Sequence, residues 1–111
     1  MKTAKEYLID GLIRLDNGDR WIKGELSRYI DSKRCWCAIG ALVEGDGGDS
    51  EEYDQRCLAN EALGRAAEEL FPHRTPGGMV AAANFNDHAD TTFDDVKKVY
   101  ELAIKRAGED Q

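Results

Sequence analysis

The side chains with chemical reach in this 111-residue chain fall into a few short clusters. Cys37 stands at the head of the run Ala38-Ile-Gly40-Ala41-Leu42, which reads as the start of a helix. A helix N-terminus lowers a thiol pKa and makes the thiolate available as a nucleophile. Asp87 and His88 follow downstream, so a Cys–His–Asp enzyme is one reading of the chain. The opposing reading is that a cysteine leading a Gly-Ala-Leu run is a small buried hydrophobe, and that is the expectation here: an inert core thiol. A second group, Trp21, Trp36, Asn86 and Asp87, has the makings of a polar pocket with an indole platform for a nucleotide base. The plainer alternative is that Asn86 and Asp87 make turn and cap hydrogen bonds to nearby backbone. Gly77-Gly78 lacks the preceding strand and the lysine of a phosphate loop.

The remaining cysteines add no framework. Cys35, Cys37 and Cys57 are an odd number behind an N-terminus without an apolar signal region, so reduced thiols are expected. Cys35-Trp36-Cys37 lacks zinc-knuckle spacing, and His73 and His88 are too far apart to share a helix face, so neither metal nor cofactor is expected. Charge is distributed unevenly. The chain carries a net −7, with residues 1–34 at +2 and residues 35–111 at −9. Glu44, Asp46, Asp49, Glu51, Glu52 and Asp54 form its densest stretch, with no base among them. Their spacing is not that of a calcium loop. They read either as a solvated loop running into a helix N-terminus or as a surface that meets a basic partner. The acidic balance argues against general binding to nucleic acid, and no apolar run is long enough to cross a membrane. A soluble, cytoplasmic protein is expected.

The elements that must position these residues are mostly helices. Thr3 and Glu6 form a capping box ahead of Ala4, Leu8, Leu12 and Leu15, which predicts a helix over about 3–16, stopped at Asn17-Gly18. The segment 19–34 admits either a short hairpin around Asp31-Ser32, within 27–37, or a helical turn near 22–27. From Cys37 to Val43 the chain suits a buried helix, closely approached at Gly40 and Ala41. Ser50 or Asp49 should cap a helix through Leu70, with Tyr53, Cys57, Leu63, Ala67 and Leu70 on one face. A short segment follows from Met79 to about Phe85. The last helix opens at Thr92, with Asp95 as capping partner, and buries Phe93, Val96, Tyr100, Ala103 and Ala107. The expected fold is all-α: one compact domain over 1–111, a bundle of four to five helices with at most the one hairpin.

Trp21-x-x-Gly24, then Cys37-x-x-Gly40-Ala41-Leu42, then Phe85-Asn86-Asp87, then the Thr92-led helix resemble, in order and separation, a family of small phage and bacterial proteins without an assigned activity. The resemblance spans about residues 5–107, with Phe85 where many members have Trp, and it implies a phage context. With no convincing catalytic set, the leading expectation is a small acidic protein that acts by binding a host protein with a basic surface, as an anti-defence inhibitor. The alternatives are a protein that binds a nucleotide signal at Trp21, Trp36 and Asn86, and an enzyme using Cys37.

Overall fold

The computed structural model describes residues 3–43, 50–75 and 81–109. Helix α1 (Ala4–Arg14) starts on the capping box as expected: Thr3 Oγ1 accepts the Glu6 amide, and the Glu6 carboxylate accepts the Thr3 amide, each at 3.2 Å. It ends two residues early. Asp16, Asn17 and Gly18 all take left-handed backbone, and together they form one tight turn. Gly18, at φ +97°, lies against the Phe93 ring, where an added Cβ would come within 3.0 Å.

After this turn the chain is extended, and the helical turn considered for 22–27 does not form. Strands β1 (Ser27–Ile30) and β2 (Lys33–Trp36) make an antiparallel hairpin, pairing Ser27 with Trp36, Arg28 with Cys35, Tyr29 with Arg34 and Ile30 with Lys33. Its two-residue turn, Asp31-Ser32, has φ of 51° and 68°. Positive φ at both positions is what matches a tight hairpin turn to strand twist, and short polar side chains tolerate it best. The Trp21–Ile22 segment runs along the far side of Trp36: the Trp36 amide donates to the Arg20 carbonyl at 2.8 Å, and the Ile22 amide donates to the Trp36 carbonyl at 3.0 Å.

Helix α2 (Gly40–Val43) is a single turn, shorter than the apolar run suggests, although the Cys37 carbonyl already accepts the Ala41 amide. Helices α3 (Ser50–Leu70), α4 (Ala81–Asp87) and α5 (Phe93–Glu109) complete the described elements. The molecule is therefore mainly helical, and its one two-stranded sheet among the described residues is the hairpin admitted within 27–37. The capping residue Asp49 and the start of the Met79 segment lie outside the described residues. On α5, Thr92 and Asp95 cap one another, and Arg74 closes a 2.8 Å ion pair on Asp95. Burial pushes the Asp95 carboxyl up, but the Thr92 amide and the Arg74 guanidinium outweigh it and hold the group below its usual range.

Helices α1, α3 and α5 pack on one another, α4 packs on α3, and α2 packs on α1 and α3. Leu8, Leu15, Leu42, Leu63, Phe85, Val96, Val99 and Tyr100 are the large side chains at the centre. The expected face of α3 holds only in part, and the Tyr53 side chain lies outside the described residues. Cys57 is exposed and Leu70 is 42% exposed, while Ala59, Leu63, Ala66 and Ala67 are buried. Helix α3 meets four neighbouring helices, and alanines let their backbones approach. The buried face therefore follows small residues, which a search for large apolar side chains passes over.

Candidate functional site

The hairpin and the α2 turn each put one large apolar side chain into the core, Trp36 and Leu42. A buried polar cluster adds to that attachment, and it gathers the Trp21, Cys37 and Asn86 motifs. Asn86, on the last turn of α4, is fully buried. Its Oδ1 accepts the Trp21 indole N–H at 2.6 Å and the Ala38 amide at 3.0 Å. Its Nδ2 donates to the Ile22 carbonyl and to Asp87 Oδ1, each at 3.1 Å. An amide side chain offers two acceptor sites and two donors, and here all four are engaged. Asp87 Oδ1 also accepts the amide of Gly24 at 2.8 Å, and Gly24 holds φ +86°, a conformation that glycine adopts without strain. Lys23, in the same motif, donates to the His88 carbonyl at 2.6 Å.

The Cys37 motif is held from the other side. The Ala38 carbonyl accepts the buried Tyr100 hydroxyl at 2.5 Å, so both backbone groups of Ala38 are satisfied by side chains from distant elements. Burial raises the pKa of that hydroxyl far above its ordinary range; Cys37 adds to the effect and Arg14 opposes it. Gly11 leaves the space Tyr100 needs, since a Cβ there would come within 2.9 Å of the phenol oxygen. Gly40 has a stricter role. The Leu26 carbonyl, which accepts the Cys37 amide at 3.1 Å, occupies the place where a side chain on residue 40 would stand. Cys37 itself is 4% exposed, and its Sγ accepts the Gly40 amide at 3.3 Å. His88 Nδ1 accepts the Asp90 amide at 3.1 Å. The thiol is placed as a core group that caps a turn.

Not every candidate joins the cluster. Trp36 contributes only its backbone, through the bridge to Trp21. Its ring is 7% exposed, with Arg14 at 5.9 Å from the centroid. Trp21 is half-buried against Phe93, with ring centroids 6.1 Å apart, and Lys23 stands 5.6 Å from its ring. Of the acidic stretch, Glu44, Asp46 and Asp49 lie outside the described residues. Glu51 and Glu52 fall in the first turn of α3, and Asp54 is exposed. A groove of about 500 Å³ between α3 and α4 is lined by Cys57, Asn60, Glu61, Arg65 and Glu68, and it includes none of Trp21, Trp36, Asn86 or Asp87. Tyr100 is core, as its place on the apolar face of α5 predicts, and its hydroxyl bond to Ala38 is an addition. The available signal was chemical: a tyrosine on a fully apolar helix face still needs a partner for its hydroxyl.

Fold and cluster together define a small, mainly helical protein in which a buried asparagine joins the Trp21–Ile22 segment and Ala38, on either side of the hairpin, to α4. The chain belongs to a family of unknown function (DUF6197), whose model matches residues 1–106. No curated protein and no solved structure matches it. Among the described residues no helix is long and apolar enough to cross a membrane.

Proposed function

We propose that this protein acts by binding another protein, and that it is a phage-type inhibitor that occupies the basic surface of a host defence effector. The observation that supports a binding role over a pocket is Asn86. The residue best suited to read a ligand has all four hydrogen-bonding positions filled from within the chain. Taking up a nucleotide there would leave the Ala38 amide or the Ile22 carbonyl buried without a partner, a cost of about 1–3 kcal/mol for each group. Binding then falls to the exterior, whose dominant property is a charge of −9 over residues 35–111. The acidic stretch 44–54 is the natural contact, because clustered carboxylates speed encounter with a basic surface and are tolerated in solvent.

The test is capture from host lysate by tagged protein, compared with a variant carrying Asp46→Asn, Asp49→Asn, Glu51→Gln and Glu52→Gln. The wild type should retain a partner with a basic face, and added salt should release it. The variant should fold normally, associate more slowly and show weaker salt dependence. If the variant captures the same partner at the same rate and with the same salt dependence, the stretch is only a solvated loop.

A further inference from the structure

We infer that the outer edge of β1 is a second docking surface, one that takes an extended acidic segment of a partner protein as an added strand. The backbone pattern identifies the edge. The amide and carbonyl of Trp36 are both turned away from β1, toward Arg20 and Ile22. The Ser27–Trp36 pair is therefore a non-hydrogen-bonded one, and bonding alternates along the ladder: Arg28 faces Cys35, Ile30 faces Lys33, and Ser27 and Tyr29 point outward. Among the described residues no backbone group meets Ser27 or Tyr29 on that side. Two residues thus present two amides and two carbonyls at strand spacing, the array that strand addition uses.

Side chains on this edge select the occupant. Leu26, Arg28 and Ile30 alternate onto one face, where Leu26 is 49% and Ile30 41% exposed, with Lys33 paired beside Ile30. Tyr29, on the other face, is 69% exposed, beside Arg34. Arg28, Lys33 and Arg34 against Asp31 make the hairpin locally basic on an acidic protein. The register that uses the whole edge disfavours a second copy. A two-fold pairing that uses both outward residues puts Ser27 opposite Tyr29 of the copy, and so puts Arg28 directly opposite its own equivalent, which is repulsive. The complementary strand has apolar–x–acid–x–apolar spacing: its carboxylate lies across from Arg28, and its apolar residues lie beside Leu26 and Ile30. This inference does not rest on the acidic stretch, and either can fail without the other.

The probe is the fluorescent peptide Thr-Val-Thr-Glu-Thr-Ile-Thr, titrated against the intact protein and followed at the Ser27 and Tyr29 amide resonances. Binding should be weak and saturable, and it should shift those two amides. Replacing the peptide's Glu by Lys, methylating the peptide nitrogens that face β1, or introducing Arg28→Glu should each weaken binding about tenfold or more. Amide exchange on the free protein is an independent reading, fast at Ser27 and Tyr29 and slow at Arg28 and Ile30. Protection of Ser27 and Tyr29 in the free protein, dimerisation through the hairpin, equal binding of the Lys peptide, or insensitivity to methylation would each overturn the proposal.

Discussion

Replacing Asn86 by alanine tests how firmly this side chain fixes the Trp21–Ile22 segment and Ala38 to α4. The substitution removes four hydrogen bonds, but their costs differ. Trp21 is half-buried and Asp87 is exposed, so the indole N–H and the carboxylate recover water bonds cheaply. The Ala38 amide and the Ile22 carbonyl belong to residues only 2% and 5% exposed. An orphaned buried group costs about 1–3 kcal/mol, and the small void left behind adds roughly 0.6 kcal/mol. A loss of about 3–6 kcal/mol follows, from a stability of roughly 6–17 kcal/mol for a chain of this size. At about 4 °C per kcal/mol, the melting temperature should fall by roughly 12–25 °C. Urea unfolding followed by tryptophan fluorescence and far-ultraviolet circular dichroism measures it. Asn86→Asp sharpens the test, because it preserves shape and acceptor while placing a second carboxyl beside Asp87 Oδ1, 3.1 Å from the present nitrogen. Like charges raise the folded pKa of such a pair above its unfolded value, so that variant should be poor at neutral pH and recover in acid. A loss below about 1 kcal/mol for Asn86→Ala would refute the reasoning. If stability were unchanged and partner binding were lost, Asn86 would be a contact residue instead.

Gly40→Ala should cost at least about 3 kcal/mol or abolish soluble expression, because its Cβ meets the backbone carbonyl of Leu26 and no side chain can move aside; a midpoint in urea close to wild type would contradict that packing. Tyr100→Phe should cost about 1–3 kcal/mol by stranding the Ala38 carbonyl. The raised pKa of Tyr100 also gives an alkaline signature. The folded state keeps the phenol proton that the unfolded chain loses near its ordinary value of 10.0, so wild-type stability should fall as pH rises past that value, and the Phe variant should fall less steeply. Titration with a thiol reagent at neutral pH should modify Cys57 quickly and leave Cys35 and Cys37 until urea is added. Rapid native modification of Cys37 would revive the enzyme reading.

Local chemistry was legible from the residues alone wherever the interacting groups are neighbours in sequence. The Thr3–Glu6 and Thr92–Asp95 caps each span three residues, so propensity alone locates them, whereas the Asp31-Ser32 turn was one of two readings and the strand pairing settles it. Helical periodicity located α5 because its apolar side chains are large. On α3 it found Leu63 and Ala67 but missed Ala59 and Ala66, and it included Cys57 and Leu70, which are exposed. The motifs around Trp21, Cys37 and Asn86 were visible as unusual residue types, but their meaning was open, since the same asparagine could cap a turn or read a base. Tertiary structure brings Trp21, Ile22 and Ala38 to Asn86 across 48 to 65 residues of chain, which supports the structural reading. The physical reason is that an amide side chain has a fixed number of donors and acceptors. Only the fold determines which buried backbone groups stand close enough to use them.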